Sequence, residues 1–244
     1  MRCRESWAIL IVALLASGCG EEPATPFDEA GIEMLGDGVR DTTGLLHTLV
    51  SDPVVVSGDT SRAVVLPHRS EFESLRATIH VRMTFDTVDG DFGVLSKDAD
   101  GYADGGHFRI FTRDNDLVVR GQSSEASEIV VASGVLRPGV IHDIVVVIGH
   151  QIRVFLDGER VASAPFSVPW NQNRESIVVG GSASLSDSGV FPPNRIRDPL
   201  EGEVHRATLY ARVLSESEIR WLSSDRAHSS ARSELDADFF EHSR

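Results

Sequence analysis

Cysteine is scarce in this chain, which has only two, Cys3 and Cys19, among its 244 residues. Both lie near the N-terminus, so no disulfide bond holds the rest of the chain together, and the fold must be stabilised by packing. If Cys3 is removed with a leader segment, Cys19 is left as a single cysteine in an exported protein. Such a cysteine needs an explanation.

The chain also has no apolar run long enough to span a membrane. The run from Trp7 to Leu15 falls far short of the ~20 residues that a spanning helix needs. Arg2 and Arg4 precede it and Ala16-Ser17-Gly18-Cys19 follows it, which is the order of a secretory signal with small residues before the cleavage site. The cysteine resembles that of a bacterial lipobox, although Leu15 lies one position further upstream than the usual pattern places it.

These features predict a signal peptide at residues 1–18, lipidation of Cys19 and a tether at residues 19–30, which contain acidic residues and two prolines. Attachment to a membrane through lipidated Cys19 explains the odd cysteine. Gly20 stands where Asp commonly marks retention in the inner membrane, so the expected location is a bacterial cell envelope, with the outer membrane favoured. The alternative is an ordinary secretory signal with an incidental cysteine.

Positive charge is in short supply as well. Lys and Arg total 23 against 37 Asp and Glu, for a formal net charge of -14. A chain this acidic repels phosphate backbones, so nucleic acid is not expected as a partner. It also lacks the basic excess that docks proteins on anionic lipid. The acyl chains on Cys19 would therefore be the membrane anchor.

Alternation of apolar and polar residues, by contrast, is abundant. Residues 144–162 predict three short antiparallel strands joined by two tight turns. Gly149-His150 fits a type II′ turn, which needs glycine at its first central position, and Asp157-Gly158 fits a type I′ turn, in which both central residues take φ > 0. The run from Ile144 to Ile148 has no polar break, which predicts a strand buried on both faces.

Further strands are predicted about every 10 residues from Ala77 onward, the spacing expected of an all-β sandwich or barrel. One helix is predicted after Ser215. Glu218 completes a capping box with this serine, and Leu214 and Ile219 are placed for a hydrophobic staple.

Several segments carry a family resemblance. Residues 202–215 contain a glycine, alternating apolar residues, a tyrosine and a Leu-Ser pair that opens a helix. His142 precedes a valine-rich strand, and a Phe-Leu-Asp-Gly hairpin follows at Asp157-Gly158. With Ser96-Lys97-Asp98 and Gly105-Gly106-His107-Phe108, these segments resemble the LamG-like domains of the concanavalin A-like lectin/glucanase superfamily.

The resemblance covers about residues 60–225 and implies an all-β, antiparallel two-sheet jelly-roll sandwich with a short C-terminal helix. We therefore expect one domain at residues 31–225 and a flexible, charged tail at residues 226–244. The chain departs from the family at His205, where Asp or Glu is common, and at Ile141, where Trp or His is usual. Both residues suit a pleated surface, so the fold is not threatened, but any role of the acidic position does not carry over.

The best candidate for metal binding is an acidic, glycine-rich loop at residues 98–107. Asp98, Asp100 and Asp104 offer hard oxygen ligands of the kind that Ca²⁺ takes, although the spacing does not fit an EF-hand. Some LamG-like domains resembling this one bind Ca²⁺ at a loop edge. The alternative is a solvent-exposed acidic turn, since Asp and Gly are common in turns.

A second loop, after Pro169, has the chemistry of a sugar-binding site. Trp170 offers an aromatic platform with Asn171 and Asn173 as amide partners, and Tyr102 would be a second platform. The alternative is that Trp170 folds back over the core, since large aromatic side chains are buried on average.

Catalytic motifs are missing from the sequence. Glucanases of this superfamily carry paired carboxylates in a Glu-x-Asp-x-x-Glu strand, and retaining hydrolysis needs two carboxyls ~5 Å apart. No strand here has that pattern, and there is no Gly-x-Ser-x-Gly or His-Glu-x-x-His motif. The nine histidines are scattered, and we expect most of them at exposed or edge positions.

We therefore predict a non-catalytic binding module of a cell-envelope lipoprotein, with a glycan or an envelope protein as its partner. Two alternatives stay open, a structural or assembly lipoprotein without a small-ligand site and a glycan-active hydrolase or lyase. An aromatic-lined loop pocket would favour the binding module, and a broad exposed apolar patch the assembly protein. Two acidic side chains, or a His-Tyr pair, that converge on a sheet face would favour the enzyme.

Overall fold

The described part of the protein is a sandwich of two antiparallel sheets with one short α-helix. A computed structural model describes residues 32–35, 38–41, 46–98, 107–122, 127–167, 172–183 and 196–224. The jelly-roll sandwich with a C-terminal helix that the sequence predicted is confirmed. The predicted signal peptide, the tether with Cys19 and the C-terminal tail at residues 226–244 lie outside the described residues.

The first large sheet has six strands. In spatial order they are β10 (Ser127–Ala132), β9 (Asp116–Gln122), β8 (His107–Arg113), β7 (Gly93–Asp98), β14 (Ile177–Val179) and β5 (Val64–Leu66).

The second large sheet has seven strands. Six of them pair in one continuous order, and the seventh pairs with one of these six. In spatial order they are β13 (Glu159–Pro165), β12 (Gln151–Leu156), β11 (Ile141–Ile148), β6 (Ala77–Phe85), β17 (Gly202–Tyr210) and β3 (Leu46–Val50), and β4 (Val54–Val55) pairs with β17. Two small hairpins complete the strands, β1 (Ile32–Leu35) with β2 (Gly38–Asp41) and β15 (Ser182–Ala183) with β16 (Ile196–Arg197).

β11 lies in the middle of the seven-stranded sheet, as the unbroken apolar run predicted. Ile144, Val146 and Ile148 point into the core between the sheets. Val145 and Val147 point to the opposite side, where the helix covers them. Both faces of this strand are therefore buried, which explains why its sequence has no polar alternation.

The turns around this strand confirm one prediction and correct another. Asp157 and Gly158 both have positive φ, 53° and 84°, as a type I′ turn requires. Gly149 does not have positive φ, so the predicted type II′ turn at Gly149-His150 is wrong. The hairpin closes instead with the Gly149 amide donating to the Gln151 carbonyl at 3.1 Å. Glycine can adopt the conformation that a type II′ turn needs, but the register in which the two strands pair does not require that turn.

The helix α1 (Glu216–Leu222) begins with the predicted capping box, since Ser215 and Glu218 exchange side-chain and backbone hydrogen bonds. Leu214 and Ile219, the predicted staple residues, are buried together against the outer face of the seven-stranded sheet. The helix is short, and packing on this sheet rather than intrinsic propensity stabilises it. Among the described residues, no helix is long and apolar enough to cross a membrane.

Candidate functional site

The outer face of the seven-stranded sheet is divided into two halves. Helix α1 covers one half, and the other carries a set of ion-paired side chains on β6 and β11. Nε2 of His80 lies 2.7 Å from Asp143 Oδ1, and Nη1 of Arg82 donates to Asp143 Oδ2 at 2.7 Å. His80 and Asp143 are buried and Arg82 is partly exposed. Each oxygen of this buried carboxylate therefore has a donor, as a buried charge requires.

A second histidine near this set is locked by its neighbours. The backbone N–H of Arg137 donates to Nε2 of His142 at 3.1 Å, so the ring proton is on Nδ1. That Nδ1–H donates to Asp157 Oδ2 at 2.9 Å, and Asp157 Oδ1 accepts from the amide of Asp143 at 2.8 Å. His142 is buried, as is His80, so the expectation of exposed or edge histidines fails at these two positions.

Among the described residues of this face, the acidic residues Asp143 and Glu203 lie on strands that are not adjacent in the sheet. The registers place Asp143 and Glu203 two strands and two residues apart, which corresponds to roughly 12 Å between Cα positions. Asp143 and Asp157 are nearer to each other, but the oxygens of both already accept hydrogen bonds from protein donors, which tie them to the protein rather than to a ligand.

The outer face of the six-stranded sheet has a different character, because two arginines lie directly opposite each other there. Arg109 on β8 pairs with Arg120 on β9 in the antiparallel register. Both residues point away from the core, since the residues that alternate with them pack inside it. Like charges at directly opposed positions of a sheet repel each other.

The two arginines differ in their partners. Nη2 of Arg109 donates to Ser182 Oγ at 2.6 Å and to Asp198 Oδ2 at 2.8 Å. Arg120 is partly exposed, and within the described residues its guanidinium has neither a carboxylate nor another hydrogen-bond partner. The Nε atoms of both arginines are buried without an acceptor. Arg109 is therefore charge-balanced, whereas Arg120 is not.

Apolar side chains surround this arginine pair. The guanidinium of Arg109 lies 4.9 Å from the ring centroid of Phe111, a cation–π contact. Ile129 and Val131, on the edge strand β10, are large apolar residues exposed at 53 % and 45 %. In the sheet register, Ile129 is the neighbour of Arg120. The face thus combines planar hydrogen-bond donors with accessible aliphatic surface.

Two of the residues predicted for ligand or metal binding lie within the described part of the chain. The others, Trp170, Asn171, Tyr102, Asp100 and Asp104, lie outside it. Asn173 is buried, and its amide donates to the Lys97 carbonyl at 2.7 Å while its Oδ1 accepts from the Glu175 amide at 2.8 Å. It therefore fastens the backbone on which it lies to β7.

Asp98 is the other predicted site residue that the structure describes, and one of its carboxylate oxygens is suited to bind a hard cation. Its Oδ1 is buried without a hydrogen-bond partner and lies 3.6 Å from Nδ1 of His107. In the described ranges, no cluster of three or more His, Cys, Asp or Glu side chains is arranged to hold a metal ion. The carboxylate of Asp98 thus fits a Ca²⁺ site as one ligand, and the remaining predicted ligands are those outside the described residues.

Lys97 is the only lysine of the chain, and it is fully buried. Its Nζ donates to the Phe72 carbonyl at 3.2 Å on the core side of β7. Burial lowers the pKa of Lys97 to about 8, against the attraction of Glu73 and Glu175, which raises it. The hydrogen bond from His68 holds the pKa of Glu73 below its usual range. The ammonium group thus ties β7 to the segment around Phe72.

The sequence contains a signal for the arginine pair. The sequence predicts a hairpin with its turn at Asp114-Asn115, and pairing the two strands outward from that turn places Arg109 opposite Arg120. The His80–Asp143 contact had no such signal, because 63 residues separate its members.

Comparison with known proteins identifies the family. Residues 58–220 match the sequence profile of the concanavalin A-like lectin/glucanases superfamily described as Laminin_G_3. That segment is about two thirds of the chain and contains both faces described above. No curated protein sequence matches the chain.

Similar solved structures include carbohydrate-binding modules and parts of larger enzymes. The CBM40 module of the Ruminococcus gnavus IT-sialidase, bound to α2,3-sialyllactose, aligns over 73 % of this chain and 100 % of its own, with 14 % identity and a TM-score of 0.57. Domain 4 of the Geobacillus stearothermophilus arabinanase AbnA, in complex with arabinotriose, aligns over 66 % of this chain and 72 % of its own, with 11 % identity and a TM-score of 0.52.

A leech intramolecular trans-sialidase aligns over 73 % of this chain but only 27 % of its own, with 13 % identity and a TM-score of 0.55. At these identities the likeness is one of fold.

Proposed function

Because the chain belongs to the concanavalin A-like lectin/glucanases superfamily, we propose that it is a non-catalytic glycan-binding module of a cell-envelope lipoprotein. A CBM40 module bound to sialyllactose and a domain of an arabinanase in complex with arabinotriose share its fold. The described carboxylates on the outer face of the seven-stranded sheet either lie on non-adjacent strands or already accept hydrogen bonds from protein donors, which favours binding over hydrolysis.

The observation that carries this proposal is the outer face of the six-stranded sheet. Sugars present hydroxyl groups along their edges and C–H groups on their faces, so a binding surface needs planar polar groups next to apolar ones. Arg109 and Arg120 supply the first, and the exposed side chains of Ile129 and Val131 supply the second. This face lies on rigid strands, which hold its side chains in a defined arrangement.

The site predicted in the loops extends this proposal. Asn173 ties the segment after Trp170 and Asn171 to β7, and Tyr102 belongs to the loop that follows Asp98. If Ca²⁺ binds, Asp98 would hold it together with Asp100 and Asp104, and the ion would supply a hard positive centre at the rim of the sheet.

A glycan array with the full chain, purified in detergent, tests the proposal. We expect binding to at least one class of glycan, measured in the presence of Ca²⁺ and again with a chelator. Loss of binding with the chelator would support the metal site at Asp98, and unchanged binding would refute its participation. Absence of binding to every glycan would contradict the proposed function.

The lipid anchor has its own test. We propose that Cys19 carries the acyl chains and that the chain lies in the outer membrane, facing away from the cytoplasm. Cys19→Ser is then expected to move the protein from the membrane fraction to the soluble fraction of cells. If the Cys19→Ser variant remained in the membrane fraction after a carbonate wash, the lipoprotein assignment would be wrong.

A second candidate function rests on the edge of the same sheet. β10 is an edge strand, and Ile129 and Val131 are exposed on it. Exposed apolar residues on an unpaired edge are typical of a surface that contacts another protein. An assembly role in the envelope is therefore the alternative, and it gains support if the array shows no glycan binding.

A further inference from the structure

The pairing of Arg109 with Arg120 is unfavourable as long as nothing binds there. Two cations face each other across neighbouring strands, and both have a buried Nε atom without an acceptor in the described part of the chain. Native structures leave few buried donors unsatisfied, and each of them calls for an explanation. A sheet whose strands were selected for stability alone would place an acidic or neutral residue opposite Arg109.

The imbalance is local to Arg120. Asp198 already compensates the charge of Arg109, at 2.8 Å. Among the described residues no carboxylate compensates Arg120, although the chain has 37 acidic residues to choose from. The protein has a net charge of -14, yet the uncompensated and partly buried guanidinium of Arg120 attracts anions locally.

From this arrangement we infer that the outer face of the six-stranded sheet binds the acidic group, a carboxylate or a sulfate, of an acidic sugar. This inference rests on the proposed glycan-binding function and specifies its ligand. The planar guanidinium of Arg120 forms charge-assisted hydrogen bonds with the oxyanion, and Arg109, held in place by Ser182 and Asp198, lies directly opposite it as a second guanidinium. The exposed side chain of Ile129 packs against the apolar face of the same sugar ring.

The test compares matched pairs of oligosaccharides that differ only in the acidic group. One arm uses a carboxylated sugar and its neutral counterpart, and the other uses a sulfated sugar and its unsulfated form, so the arms distinguish the two oxyanions. Binding to the full chain is measured by calorimetry. We expect at least one acidic member to bind about tenfold more tightly than its neutral counterpart, which corresponds to about 1.4 kcal/mol.

Two variants show whether Arg120 is responsible. Arg120→Gln is expected to weaken binding of the acidic member more than that of its neutral counterpart, so that the preference for the acidic member is lost. Arg153→Gln is the matched control, because Arg153 is also a partly exposed arginine in the middle of a strand, on the outer face of the other sheet. Arg153→Gln is expected to keep the preference for the acidic member. Loss of this preference in both variants would overturn the inference.

The possible failures are distinguishable. Equal binding of acidic and neutral sugars, or an acidic preference that survives Arg120→Gln, overturns the inference and leaves the glycan-binding function intact. Binding to neither member of any pair overturns both. If the melting temperature of Arg120→Gln is at least that of the unaltered chain, the loss of preference does not come from unfolding.

Discussion

The carboxylate of Asp157 accepts a hydrogen bond from Nδ1 of His142 at a distance of 2.9 Å. Asp157 is also the first central residue of the type I′ turn between β12 and β13, with φ of 53°. Its second oxygen accepts from the backbone amide of Asp143. One residue therefore closes a hairpin and fixes the ring of a buried histidine on the adjacent strand.

Asp157→Ala is expected to lower the free energy of unfolding by about 3 kcal/mol, because alanine disfavours positive φ and two hydrogen bonds are lost. Asp114→Ala is the matched control. Asp114 also has positive φ at a hairpin turn, but its side chain makes no hydrogen bond among the described contacts. We expect it to cost about 1 kcal/mol. Urea unfolding measures both, and equal losses would show that the contact with His142 contributes nothing.

Burial of Lys97 predicts a pH dependence of stability. Its pKa is about 8 in the folded chain against an ordinary value of 10.5, so between these pH values the unfolded state binds more protons. The free energy of unfolding therefore rises with pH in this window, by up to about 3 kcal/mol, and this group contributes no slope below pH 8. The profile of Lys97→Met, subtracted from that of the unaltered chain, isolates this rise. A flat difference would mean that Lys97 titrates normally.

Arg120→Gln is expected to stabilise the protein. The substitution removes a like-charge contact with Arg109 and a buried donor without an acceptor, which together correspond to about 1 kcal/mol. Arg153→Gln should change the free energy of unfolding by less than about 0.5 kcal/mol, as most surface substitutions do. Thermal unfolding of the two variants side by side gives the comparison, and a less stable Arg120→Gln would show that this arginine stabilises the sheet.

Asp143→Asn should be among the most damaging single changes on the seven-stranded sheet. It leaves Arg82 and His80 without their shared anion in a buried setting, at a cost of about 3 kcal/mol. Because Arg82 then no longer has this carboxylate to lose, Arg82→Met should cost at least about 1 kcal/mol less in the Asp143→Asn background than in the unaltered chain. Additive losses would argue that the two side chains do not interact.

Much of the fold was predictable because its determinants are local. The apolar run from Ile144 to Ile148, the Asp157-Gly158 turn and the Ser215–Glu218 capping box each act within a few residues of the chain. The turn at Gly149 was mispredicted because glycine permits positive φ but does not impose it. The strands β1 and β2 were not predicted, since their short segment has no sustained alternation.

The candidate site was less predictable, because it depends on contacts between strands. His80 and Asp143 meet only when β6 pairs with β11 in one register, and a shift by one residue would point them to opposite faces. Lys97 directly precedes the acidic loop at residues 98–107, and only the position of β7 shows that its side chain points inward. The aromatic and acidic loop residues remain predictions.

The single ε-amino group of this chain lies inside the sandwich, where an amine-reactive reagent does not reach it. Its chemical modification therefore requires the sheets to separate, so the rate of labelling reports how often the folded domain opens. Crosslinkers and immobilisation chemistries directed at lysine would, for the same reason, leave the folded domain untouched and should be replaced by reagents that react with carboxylates.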